Sequence, residues 1–99
     1  MNMQALMKQA QNLQKDMMKT KEEIDKMEFI AERDLVSVKV NGKKEVLKVN
    51  IKADDDFDLS DMEILEELIQ VAVNDALKQV DKMTEKKMGK YASMAPGLF

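Results

Sequence analysis

Nine positions near the start of the chain, Met3, Leu6, Ala10, Leu13, Met17, Thr20, Ile24, Met27 and Ala31, follow one another at alternating spacings of three and four residues. This is the a/d seam of a coiled coil, and only Thr20 on it is polar. A helix of roughly 25 residues is about 40 Å long at 1.5 Å per residue, too long to lie covered along its whole length on a small sheet. Part of it projects. The stripe can serve its own domain or a second subunit, and its length and regular repeat favour the second.

The composition points the same way. The chain has 99 residues, with three Phe, one Tyr and no Trp to fill a core. Domains this small often rely on a disulfide, a metal or a partner subunit. With no Cys and no His the first two are excluded in practice, which leaves oligomerisation. The same absences remove the Ser-His and Cys-His pairs and the imidazole base of most hydrolytic chemistry. The three glycines, Gly42, Gly89 and Gly97, cannot build a phosphate-cradling loop. Apolar runs reach three or four residues, as in Val71-Ala72-Val73, far short of a membrane span, and no N-terminal signal is visible. The expectation is a cytoplasmic protein that needs no cofactor, metal, membrane or small-molecule substrate and is not an enzyme.

After the helix the pattern changes to strands. Leu35-Val36-Ser37-Val38-Lys39-Val40 alternates with one buried face, and Asn41-Gly42 is the preferred dipeptide of a two-residue type I′ hairpin. That turn predicts pairs Val40–Lys43, Val38–Glu45 and Val36–Leu47, and one apolar face made by Val36, Val38, Val40, Leu47, Val49 and Ile51. Three antiparallel strands are expected near 27–32, 35–41 and 45–52, with helix 1 able to run through the first.

The acidic stretch Asp54 to Asp61 places Asp54, Asp56 and Asp58 at the odd spacing of a calcium loop. Leu59 stands where that loop needs glycine and Leu65 where it needs a bidentate Glu, so the calcium reading fails. The acids instead precede a second helix, where negative charge is favourable, and Ser60 with Glu63 makes a capping box. From Met62 to Leu77 apolar residues occupy more than one face, the mark of a helix buried from several sides. From Lys78 to Lys90 the stripe narrows to Val80, Met83 and Met88, the pattern of a projecting helix. Gly89 is the expected stop. Residues 1–91 then form one dimerising domain, and residues 92–99, with Pro96-Gly97, a mobile tail.

The net charge of −3 conceals a strong segregation. Residues 1–21 carry four lysines against Asp16, and residues 77–99 carry five lysines against Asp81 and Glu85. Residues 53–76 contain nine acids and no base. Helix 1 enters the sheet at its C-terminal end and helix 2 leaves it at its N-terminal end, so the free ends of both are basic. Lysines on projecting helices suit phosphate neutralisation with little sequence selectivity. Arg33 is the only arginine, so bidentate readout of guanine has a single candidate, although Gln4, Gln9, Gln11 and Asn12 could reach base edges. The ten methionines fill irregular gaps in cores and dimer contacts, or line an adaptable groove for a partner's apolar segment.

Leu6-Met7-Lys8-Gln9-Ala10-Gln11, Asn41-Gly42, Glu66-Glu67-Leu68 leading into Asn74-Asp75-Ala76, and the Pro96-Gly97 tail occur in an order, and over nearly the whole chain, that resembles the YbaB/EbfC family of small bacterial nucleoid-associated proteins. The resemblance implies an α+β fold of a long helix, three antiparallel strands and a long helix. It further implies an intertwined homodimer whose helices project like tweezers, DNA binding with a role in nucleoid organisation and transcription, and no cofactor or catalysis. The matching Lys8 and Gln9 fall on the basic end of helix 1, and Asn74 and Asp75 in the buried half of helix 2, where they suit securing helix to sheet or subunit rather than touching DNA. Where many members have a glycine-rich connection before the second strand, this chain has Ala31-Glu32-Arg33-Asp34.

The leading expectation is therefore a homodimer in the cytoplasm and nucleoid, with duplex DNA held by Lys8, Gln9, Lys15, Lys19, Lys78, Lys82, Lys86, Lys87 and Lys90. Leu6, Ala10, Leu13, Met17, Leu65, Ile69 and Ala72 are the expected dimer contacts. The alternative is a protein-interaction module that clamps a partner between Met-lined helices. An acid–base enzyme built on Asp54 to Asp61 ranks below both, because no pocket-forming signature accompanies the carboxylates.

Overall fold

The computed structural model describes residues 2–94. Helix α1 spans Met3–Asp25, β1 Glu28–Arg33, β2 Val36–Asn41 and β3 Val46–Ile51, followed by a 3₁₀ turn at Leu59–Asp61 and helix α2 at Met62–Met94. The helix–sheet–helix order is the α+β arrangement the sequence implies. The molecule is 72 Å long and only 19 × 14 Å across, so much of both helices has no sheet beneath it.

Asn2 opens α1 by accepting the Gln4 N–H on its side chain at 3.0 Å. The three-four repeat runs on to Ala31, but the helix ends at Asp25. Met27 and Ala31 share the helical spacing by coincidence. Ala31 is buried because it alternates with Phe29 in β1, next to the buried Val36, Val38 and Val40 of β2.

The sheet is antiparallel in the order β1-β2-β3. A tight turn at Asp34-Leu35 joins β1 to β2, and Asp34 supplies the positive φ of 50° that a glycine often provides. The second hairpin departs from the two-residue turn expected at Asn41-Gly42. Val36 lies opposite Ile51 and Val38 opposite Val49, with a register shift between Lys39 and Val40 that puts Val40 opposite Val46. The cause lies in Asn41. Its carbonyl accepts the Lys44 N–H and its side-chain oxygen accepts the N–H groups of both Lys43 and Glu45, which lengthens the loop. Lys44, at φ 65°, takes the left-handed position. Gly42 serves a different need, because a Cβ there would overlap the carbonyl of Ile24 at the end of α1. Its N–H donates to the Met27 carbonyl at 3.1 Å, docking the hairpin tip against that helix end.

The cap lies two residues before Ser60, and Ser60 itself falls inside a 3₁₀ turn at Leu59–Asp61. Asp58 is the capping residue, accepting the Ser60 N–H while the Asp61 carboxylate accepts the Asp58 N–H, and one 3₁₀ turn leads into α2. Hydrogen bonds from the Ser60 hydroxyl and N–H hold the Asp58 carboxyl below its ordinary range. Leu65, Ala72, Ala76 and Val80 of α2 pack on Phe29, Ala31, Val36, Val38 and Val40. Two alanines four residues apart let the helix backbone come close to the strands. Arg33 of β1 binds Asp75 of α2 through Nε and Nη2 at 2.7 and 2.6 Å, the helix-to-sheet clasp expected near Asn74-Asp75.

Gly89 does not stop α2. The helix continues to Met94, carried past the glycine by Met88 and Tyr91, which pack on Ile24 in a second core with Leu13 and Met17 at its margin. Thr20, the polar member of the α1 stripe, meets the Tyr91 hydroxyl at 3.2 Å. Residues 92–94, expected in a mobile tail, are thus helical, while 95–99 lie outside the described residues.

Candidate nucleic-acid interface

Helix geometry sorts the lysines. Lys8, Lys15 and Lys19 are spaced by seven and four residues, which brings them within about 40° of one another around α1. The stripe through Leu13, Met17 and Ile24 that meets α2 lies on the opposite side. All three lysines and Gln9 are exposed. On α2, Lys78, Lys82, Lys86 and Lys90 recur every four residues and are exposed, while Lys87 is half-buried beside Met88. The Lys90 ammonium sits 5.1 Å from the centre of the Tyr91 ring, a cation–π contact that leaves the side chain at the surface.

These residues do not form one continuous patch. Lys15 and Lys19 share the projecting arm with Lys86, Lys87 and Lys90, because Thr20 faces Tyr91. Lys8 lies farther out, about 16 Å along α1 from Lys19. Lys78 and Lys82 are not on the free end. They border β1 beside Ile30 and Arg33, since Val80 between them is part of the sheet core. The acids among the lysines are partly compensated, for Asp81 pairs with Lys44 from the hairpin tip at 2.7 Å. Arg33 is held by Asp75, with Nε and Nη2 both directed at the one carboxylate oxygen Oδ2.

The expected dimer contacts divide. Leu65 and Ala72 are buried in the chain's own core and Ile69 is half-buried against it. Leu13 and Met17 are half-buried against Met88 and Tyr91, whereas Leu6 and Ala10 remain exposed. The larger uncovered apolar surface is β3. Val46, Leu47, Val49 and Ile51 keep between 41% and 48% of their surface, because α2 crosses β1 and β2 and leaves the third strand bare. The sequence registers Leu47, Val49 and Ile51 as one apolar face but cannot say that the chain's own helix misses it. The opposite edge of the sheet is guarded, since Gln79 donates to the Ile30 carbonyl of β1 at 2.9 Å.

The family model of the YbaB/EbfC DNA-binding family matches residues 1–95. This chain belongs to that family. Curated relatives agree over nearly the full length. A protein of Lactococcus lactis subsp. cremoris (strain MG1363) named nucleoid-associated protein is 44% identical, with 97% of this chain and 98% of the relative aligned. Nucleoid-associated proteins of Clostridium novyi and Enterococcus faecalis are 44% and 41% identical, covering 100% and 97% of this chain and 90% and 93% of theirs. Among the described residues no group of acids, Cys or His is arranged to hold a metal ion, and no helix is long and apolar enough to cross a membrane. The family assignment thus falls on a fold whose long outer helix faces carry rows of lysine.

Proposed function

We propose that this protein is a nucleoid-associated DNA-binding homodimer that holds duplex DNA mainly through phosphate contacts and contributes to nucleoid organisation and gene regulation. Family membership supports DNA as the partner. The observation that carries the contact surface is the Lys8, Lys15, Lys19 row, which turns outward while the opposite face of α1 is engaged by α2. Lys86, Lys87 and Lys90 add charge to the same arm, and Lys78 and Lys82 extend it toward the body. Ammonium groups on a helix surface neutralise phosphates without reading bases, so binding is salt-dependent and weakly selective. The acidic segment around Asp54 to Asp61 belongs to the body and repels the duplex from that end. Nothing in this reading calls for a cofactor or a catalytic step.

The bare apolar face of β3 supports the second subunit. Ile69, Val73 and Leu77, half-buried at four-residue intervals, lie on the flank of α2 away from Lys78 and Lys82, hence toward β3. A second copy laid on this surface covers what the monomer leaves wet. For the Met-clamp alternative, Met83 and Met88 are committed to the two cores and Met17 is half-buried, which leaves Met3, Met7 and Met18 as its exposed methionines on α1.

Fluorescence anisotropy with random-sequence duplex, titrated across about 50 to 300 mM salt, tests the DNA reading. Log affinity falls steeply with log salt, and replacing Lys8, Lys15 and Lys19 with Glu weakens binding to every duplex and flattens the slope by about three. Salt-insensitive binding, or an unchanged slope in the triple variant, would overturn it. Light scattering tests the assembly: the parent has the mass of two chains, and Val49→Lys on β3 halves it. A Val49→Lys variant of unchanged dimer mass would exclude this face.

A further inference from the structure

The molecule is polar along its length. α2 starts beside the Asp34-Leu35 turn, crosses the sheet to the Lys44–Asp81 pair at the hairpin tip, and meets Thr20 of α1 with Tyr91. From there α1 carries on outward for about 26 Å, from Thr20 to Met3. The tip of α1 and the start of α2 are therefore the opposite ends of the 72 Å length.

At the α2 end lies a cavity of about 240 Å³. Its floor is apolar, made by Leu35, Phe57, Ile64, Leu65 and Leu68, and Asp34, Asp54, Asp56 and Asp61 stand round it. Ile64 keeps 57% of its surface exposed. It is about five turns from Lys82 and so on the same line of α2, on the flank that borders β1 and away from Ile69, Val73 and the bare β3 face. A subunit seated on β3 leaves the cavity open.

We propose that this cavity receives the tip of α1 from another copy of the chain, so that copies join head to tail. The first argument is apolar fit. Met3 and Met7, one turn apart on one face of the tip, expose 72% and 60% of their surface. Methionine is unbranched and adapts to an irregular apolar hole. The second argument is charge. No acid precedes Asp16 in the sequence and none stands in the first turn of α1, so the positive end of the helix dipole is uncompensated, with Lys8 close behind it. Segment 53–76, which supplies most of the cavity, holds nine acids and no base. Asp54 and Asp61 accept the N–H groups of Asp56 and Asp58, which sets the rim in place within one chain. The contact joins unlike surfaces, so it does not close in pairs, and each added copy offers a fresh tip and a fresh cavity. On the DNA-binding reading above, a seated tip withdraws Lys8 from phosphate, so duplex and neighbour compete for it.

The test is light scattering of the full chain without DNA, at rising protein concentration, in about 50 mM and about 500 mM salt, since exposed charges are screened at the higher value. At low salt the mass climbs with concentration to about twice the high-salt value or beyond. Met7→Glu at the tip and Ile64→Lys in the cavity change exposed side chains and leave the denaturation midpoint in place, yet each holds the low-salt mass at the high-salt value. Asp56→Lys repeats the loss at the rim without touching the floor. Mixing the Met7→Glu and Ile64→Lys proteins restores growth, because the first brings an intact cavity and the second an intact tip. A parent whose mass ignores concentration and salt overturns the proposal. Association that survives either single substitution also overturns it, since the contact then lies between like ends or on another surface, and so does a mixture that stays at the high-salt mass.

Discussion

The body of the molecule and its arm are held by cores of different depth. In the body α2 lies across β1 and β2, and nine buried residues from three elements share one cluster. In the arm, among the described residues, the buried set is Ile24, Met88 and Tyr91, with Leu13 and Met17 at the margin and one hydroxyl pair linking the helices. The body rests on a core shared by sheet and helix, whereas the arm is two helices in single-sided contact, whose outer faces are free to carry charge. The difference teaches why the lysines concentrate where they do. A thin arm presents helix surface to a ligand from several sides, and a body covered on one sheet face by its own helix presents much less.

The sharpest way to break that comparison is to truncate the arm's central side chain. Ile24→Ala removes buried volume from a core with few neighbours to relax into it, at a cost of about 2–5 kcal/mol. Native-state hydrogen exchange locates the loss. The amides of α1 and of α2 beyond residue 84 exchange faster by local opening, while those of β2 retain the protection of the global transition. Equal acceleration in both places would mean that arm and body are one cooperative unit.

Gly42→Ala attacks the joint between the two regions. The added Cβ meets the backbone of Ile24 and Asp25, which cannot rotate away as a side chain can. Displacing the hairpin tip from the end of α1 costs about 1–3 kcal/mol, read from the shift in denaturation midpoint. The Gly42-to-Met27 hydrogen bond then breaks, and loss of protection at the Gly42 amide reports it. A variant as stable as the parent would show that the close approach is not needed to seat α1.

How much of this was legible in the sequence follows from the range of the interactions. The stripe on α1 as far as Ile24, the alternation of β2 and the Lys8, Lys15, Lys19 row are local periodicities and sit where the spacing puts them, whereas Met27 and Ala31 fall beyond the helix and Lys78 and Lys82 beside the sheet. The hairpin register was not legible, because Asn41-Gly42 has a preferred short turn and the Asn41 side chain, by capturing two N–H groups, selects a longer one. Ser60 and Asp58 are both good caps, and the choice between them needed the 3₁₀ turn. Contacts across the fold were harder still. Nothing in the pattern joins Thr20 to Tyr91 or Arg33 to Asp75, separated by 71 and 42 residues. Leu65 and Ala72 could be read only as apolar, and whether they meet their own sheet or a partner depends on where α2 crosses. The same crossing leaves the apolar side chains of β3 exposed, which their alternation alone could not tell.

The smallest effect sharpens the comparison instead of breaking it. Gly89 lies within the exposed part of α2, and a Cβ built there meets nothing within 4 Å. Glycine in a helix interior costs conformational entropy that alanine does not, so Gly89→Ala stabilises the helix by about 0.5–1 kcal/mol. In a two-region molecule that gain is local, appearing as slower exchange in α2 near residues 84–94 with little change in β2. The sign carries further information. If the substitution destabilises the dimer or weakens DNA binding while α2 itself is better protected, another surface must approach the arm closely at this point. Gly89 would then be retained to admit that surface, and the arm would be a contact face on more sides than its lysines mark.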